Sequence, residues 1–151
     1  MALDDDIRVL SGVRLFQGFT HEQLRLMAFG AETITLAPGK KLYAEGAPAD
    51  CAFVIISGEI GLYRQQDGKR ERVSTERNGA ILGEFALIAE SQRLMEAVAE
   101  HETRLLRLSR SMFRRILEEF PDTAAILHRR ISANLQAMLR QIEAVANRLQ
   151  R

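Results

Sequence analysis

The sequence predicts a mostly β protein, an antiparallel sandwich or barrel with helices at both ends. Three observations carry this. Between Glu32 and Leu108, short strand-like runs follow one another, separated by turn residues. Before Glu32, apolar residues recur at helical spacing, and after Leu108 the pattern is helical to the end. At 151 residues the chain is one domain, or one domain with a long terminal helix. The expected division is 1–120 for the β domain with its N-terminal helices. Residues 121–151 are expected to form a long C-terminal dimerisation helix of that domain.

Residues 4–30 read as short helices. Thr20 and Gln23 form a capping box, with Leu24, Met27 and Ala28 on one helical face. From Glu32 the period changes: Ile34 and Leu36 alternate with threonines, Pro38-Gly39 turns, and Lys41 to Ala44 resumes a strand. Further strands are expected at Cys51–Ser57, Glu59–Gln65, Arg70–Thr75, Met95–Glu100 and Thr103–Leu108, with a hairpin at Asp67-Gly68. Ser109 caps a helix over Ser111–Glu119, and Pro121 suits the first turn of a second helix of about 30 residues, longer than most.

Composition narrows the function. The hydrophobic content of 46% is ample for a core, and a net charge of +1 does not recommend nucleic acid or membrane as partner. The single cysteine, Cys51, excludes an intrachain disulfide and a multi-cysteine metal site, and it opens an apolar run that favours an inert buried thiol. His21, His101 and His128 share no metal-ligand spacing, and no serine, histidine and acid grouping suggests catalysis, so no metal, no tightly bound cofactor and no enzyme activity are expected. The N-terminus lacks a basic, apolar signal pattern and no run approaches a membrane span, so the default is a soluble cytoplasmic protein.

The most informative segment is NGAILGEFALIAESQRLMEAVA, residues 78–99. Gly83 lets backbone approach a ligand, Glu84 offers a carboxylate to hydroxyl donors, and Arg93 offers a planar fork suited to phosphate. Phe85 to Ala89 is long enough for one helical turn, whose N–H groups can face an anion. Together these parts can hold a sugar hydroxyl and a phosphate side by side. Without a ligand, Arg93 is expected to pair with Glu84. Arg64, Arg70 and Arg72 read as a solvated face of the hairpin.

The order of elements and their turn residues resembles the cyclic nucleotide-binding domain family, found in catabolite activator regulators, kinase regulatory subunits and gated channels. LFQGFTHEQLRLMA resembles its N-terminal helices and APGKKLYAEGAPADCAFVIISGEIGLYR its first strands. NGAILGEFALIAESQR resembles its phosphate-binding cassette, and TRLLRLSRSMFRRILEEFP its last strand and following helix. The resemblance implies an antiparallel double-stranded β-helix, or jelly-roll barrel, with N-terminal helices and a long C-terminal helix. It implies cyclic AMP or cyclic GMP as ligand, with Glu84 on the ribose 2′-hydroxyl and Arg93 on the phosphate. Gly83, Phe85, Ala86, Leu94 and Met95 complete the expected site.

The cassette departs from the family after its arginine. Small residues are usual there, and a hydroxyl; here stand Leu94, Met95 and Glu96, with Gln92 where proline is frequent. Two added bulks and a negative charge beside a phosphate point to an altered or lost ligand. Alternation along a strand should turn Leu94 and Glu96 to one face and Met95 to the other.

In the last helix, Ile131, Leu135, Met138, Ile142, Val145 and Leu149 follow spacings of three and four, the seam of a two-helix contact between copies of the chain. His128 lies at the start of the seam, and Arg129, Arg130, Arg140, Arg148 and Arg151 make a modest basic excess. Related regulators carry a helix-turn-helix after this helix; without one, DNA binding by this chain alone is not expected. Three readings follow: a cyclic nucleotide sensor signalling through its C-terminal helix, a ligand-independent dimerisation or scaffold module, or the sensor fragment of a transcription regulator.

Overall fold

The computed structural model describes residues 2–149, apart from the Leu149 side chain; that side chain and Arg151 lie outside the described residues. Helices α1 (Ala2–Ser11) and α2 (His21–Gly30) open the chain, and α3 (Arg110–Glu119) and α4 (Pro121–Leu149) close it. Between them lie β1 (Glu32–Leu36), β2 (Lys41–Tyr43), β3 (Pro48–Ala49), β4 (Cys51–Ser57) and β5 (Glu59–Gln66). Then come β6 (Lys69–Arg77), β7 (Ile81–Leu82), β8 (Ser91–Gln92), β9 (Glu96–Ala99) and β10 (Thr103–Ser109). The strands pair antiparallel in two four-stranded sheets, ordered β1-β10-β4-β7 and β2-β9-β5-β6, and in the small β3-β8 ladder.

Local chemistry sets the joints. Thr20 and Gln23 form the expected capping box of α2, and Gln23 Nε2 also donates to Thr123 Oγ1 at 3.0 Å, tying α2 to the start of α4. Ser109 Oγ accepts the Met112 amide at the head of α3. Asp67 and Gly68 both have positive φ, 52° and 79°, as a two-residue hairpin turn requires. The β5–β6 hairpin that they close is the longest in the molecule among the described residues.

The CAFVII run is apolar throughout because both faces of β4 are covered. Ala52 and Val54 face a cluster with Leu10, Phe16, Met27, Leu106, Phe113, Leu127 and Ile131, between helices and sheet. Cys51, Phe53 and Ile55 face a second cluster with Ile60, Leu62, Met95, Ala97 and Leu105, between the two sheets.

The last helix lies along its own domain. Ile131 and Val145 are buried, Leu135, Met138 and Ile142 are half-buried, and Met138 and Ile142 pack against the inter-sheet cluster. From Ile131 to Val145 the stripe expected to form a seam between copies is thus at least partly covered by its own chain. Periods of 3.5 and 3.6 barely diverge over three repeats, so the same stripe suits a partner helix or a sheet. At 29 residues α4 is ~43 Å long, yet it stays against the sheet toward its end: it meets β5 and β6, and Val145 and Arg148 line a cleft with Val73 of β6. His128 at the start of the stripe is exposed.

Candidate functional site

β7 delivers the chain into Gly83, whose φ of 69° and ψ of 32° are left-handed. A short 3-10 turn follows over Glu84–Leu87. A Cβ at Gly83 would collide with Nη1 of Arg93. Glycine is thus required twice, for the turn and for the approach of the guanidinium. Gly83→Ala is expected to cost about 1–3 kcal/mol of stability from backbone strain alone and to displace Arg93, read by chemical unfolding alongside ligand titration.

Arg93 is held from several sides. Its amide donates to Ala47 O at 2.8 Å and its carbonyl accepts from the Gly46 amide at 2.8 Å, beside the β3–β8 ladder. Nη2 donates to Cys51 O at 2.8 Å and lies 3.3 Å from Cys51 Sγ. The guanidinium carbon sits 4.4 Å from the centre of the Tyr43 ring and 5.7 Å from that of Phe53. The expected Arg93–Glu84 pair is not made: Arg93 takes a backbone carbonyl and two aromatic faces instead. Burial pushes the Tyr43 hydroxyl up to about 12, with Arg93 pulling the other way. Burial likewise raises the Cys51 thiol in spite of nearby Arg93, so Cys51 is the inert thiol its apolar run suggests.

Glu84 and Arg93 are each 7% exposed, and Glu84 Oε2 and Arg93 Nη1 lack hydrogen-bond partners among the described residues. Native structures leave few buried polar atoms unsatisfied, and each such atom costs about 1–3 kcal/mol. Both residues line one cavity of about 370 Å³. Gly83, Phe85, Ala86, Leu94 and Met95 line it too, so every expected site residue is brought together there.

Burial raises the Glu84 pKa, while its own backbone N–H and the side chain of Asn134 on α4 partly offset this and Glu76 adds to it. A carboxyl with a raised folded pKa binds more protons in the folded state. Stability should therefore fall as pH rises from the ordinary carboxylate range through the folded pKa, then level off. Glu84→Gln is expected to flatten that part of the stability profile, measured by chemical unfolding between pH 4 and 8.

The residues after Arg93 correct two expectations. Leu94 and Met95 precede β9 rather than belonging to it, so strand alternation does not apply and both line the cavity. Glu96 turns away from the site: it pairs with Lys41 at 3.1 Å and Arg70 at 2.8 Å. Burial opposes ionisation of Glu96, but bonds from Arg70 and Lys41 prevail and lower its pKa. Its charge is already matched on the outer surface, so it does not oppose a phosphate at Arg93.

The hairpin arginines are not simply solvated. Arg64 is half-buried and donates to Leu94 O at 2.7 Å, bracing the segment after Arg93. Arg70 lies 3.7 Å from the Tyr63 ring centre, and Arg72 donates to Tyr63 Oη at 2.8 Å and to Glu100 at 3.0 Å.

Several lining residues are not among the expected site residues: Tyr43, Ala49, Ser91 and Gln92, and from α4 the residues Ile131, Leu135, Met138 and Leu139. Ile131, Leu135 and Met138 belong to the expected stripe and Leu139 does not; periodicity does not say which surface a stripe covers. Tyr43 carried no motif; its place beneath Arg93 is a product of tertiary folding.

The sequence model of the cyclic nucleotide-binding domain matches residues 33–120. The cyclic AMP receptor protein of Thermus thermophilus is 29% identical over 146 residues, which cover 93% of this chain and 68% of the receptor. Human cyclic nucleotide-gated channel beta-3 is 26% identical over 151 residues, which cover 98% of this chain but only 18% of the channel. The structure of a cyclic nucleotide-binding-like protein from Brucella abortus shares 55% identity, with a TM-score of 0.69 over 76% of this chain and 99% of that one. With matched residues spanning most of both sheets and the whole cassette, the chain belongs to the cyclic nucleotide-binding domain family.

Proposed function

We propose that the chain is a regulatory module that binds a cyclic nucleotide at Glu84 and Arg93 and signals through α4. One observation carries the reading: two buried charged residues, each with a polar atom lacking a partner among the described residues, line a single cavity, and α4 forms part of its wall. Arg93 Nη1 supplies a donor for a phosphate oxygen, and Glu84 Oε2 an acceptor for a ribose hydroxyl. The cyclic AMP receptor and channel relatives make the same ligand class the natural one to test. Because four α4 residues touch the cavity, a ligand that prefers one placement of α4 shifts its equilibrium. No catalytic step is part of this reading. Among the described residues no helix is long and apolar enough to cross a membrane.

Thermal unfolding of the full chain with cyclic AMP or cyclic GMP tests this. At 100 times its dissociation constant the ligand adds about 2.7 kcal/mol, a rise in Tm of roughly 5–10 °C for a domain of this size. No rise with either nucleotide at millimolar concentration would contradict the proposal. Glu84→Gln keeps the shape but weakens the hydroxyl acceptor, and should loosen binding about 10- to 100-fold in a calorimetric titration.

The scaffold reading needs an apolar face free to meet a second copy. From Ile131 to Val145 the stripe assigned to that role is partly covered by its own chain, which supports the sensor reading.

A further inference from the structure

The polar side chains of the cavity all lie on the cassette or against it. Glu84, Ser91, Gln92 and Arg93 belong to the cassette, and Tyr43 is stacked under Arg93. Everything that α4 contributes to the lining is apolar: Ile131, Leu135, Met138 and Leu139. Asn134, the polar α4 side chain that approaches the site, is directed to the Glu84 carboxylate. Leu94 and Met95 add two more apolar surfaces beside Arg93.

The proposed function puts the phosphate at Arg93 and the ribose at Glu84, both on the cassette, so a base directed toward α4 meets a wall to which that helix contributes only apolar side chains. Adenine and guanine differ in the donors and acceptors on their edges, while their ring faces are nearly alike. Leu135, Met138 and Leu139 can cover a ring face but cannot read an edge. Leu139 is 47% exposed, so the mouth of the cavity beside it stays wet and an edge there keeps its water. A site that hydrogen-bonds a group rejects analogues lacking it by roughly 10⁴-fold or more, whereas an apolar wall discriminates weakly.

We infer that this site selects the cyclic ribose phosphate and does not distinguish the purine: Glu84 and Arg93 set affinity, and the apolar face of α4 accepts either base. The inference rests on the functional reading, and one experiment separates their failures. The full chain is titrated calorimetrically with cyclic AMP, cyclic GMP and 2′-deoxy cyclic AMP. The expected result is that the two ribonucleotides bind within about tenfold of each other. The deoxy analogue should bind about 10-fold or more weaker than cyclic AMP, for want of the hydroxyl at Glu84. A preference of tenfold or more for one purine overturns the inference and leaves the functional reading standing. Equal binding of the deoxy analogue also overturns it, because Glu84 then does not set affinity. No binding of any of the three overturns both.

Discussion

Arg93→Ala is expected to remove most or all of the stabilisation by cyclic nucleotide. Losing the charged partner of a buried phosphate costs about 2–5 kcal/mol, roughly 30- to 5,000-fold in affinity. The 2.7 kcal/mol gain expected of the parent at 100 times its dissociation constant should then fall to about 0.9 kcal/mol or less at the same concentration. Ligand-free stability is affected separately, because Nη2 holds Cys51 O at 2.8 Å and the ring of Tyr43 lies under the guanidinium. Arg93→Lys separates the two roles. An ammonium keeps the charge but loses the planar fork that bonds Cys51 O with one nitrogen and leaves the other, beside Gly83, without a partner among the described residues. Its ligand-free Tm should drop less than that of the alanine variant, while its ligand shift stays small. An undiminished ligand shift in Arg93→Ala would show that the phosphate site lies elsewhere.

The legible parts of the molecule were those whose signal is local. Thr20 with Gln23, Asp67-Gly68 and Ser109 announce caps and a turn through their own chemistry, and each forms as expected. The strand runs were legible because β4, β5 and β10 bury apolar residues at the spacing a covered sheet imposes. Glu84 and Arg93 were legible because few residue pairs suit a hydroxyl beside a phosphate. What escaped was set by tertiary partners. The outward turn of Glu96 depends on Lys41 and Arg70, which come from β2 and β6. The absence of an Arg93–Glu84 bridge depends on Cys51 O and the rings of Tyr43 and Phe53, all more than 30 residues away in sequence. The two-residue strands β3, β7 and β8 are too short to show a period, yet β3 and β8 pin the backbone around Arg93.

Docking of α4 carries the second large effect. Ile131 is fully buried, shares the helix-side core with Leu127 and Phe113, and also walls the ligand cavity. Ile131→Ala should therefore lower stability by about 2–5 kcal/mol, measured by chemical unfolding of the full chain. Ala133→Ser, two residues on and exposed, should change it by less than about 0.5 kcal/mol. Concentration decides which surface Ile131 covers. If α4 folds onto its own sheet, the thermal midpoint and the Ile131→Ala loss are independent of protein concentration. If Ile131 packed against a second copy, both would move with concentration by mass action. A constant loss across a hundredfold dilution supports the docked helix. A loss that fades on dilution would restore the seam between copies. The same variant reports on signalling, because Ile131 is where the core and the cavity meet on one helix. Weakening its packing loosens α4 and removes a wall of the site, so ligand affinity should fall together with stability. An affinity that is unchanged while stability drops would mean that α4 covers the cavity without sensing what fills it.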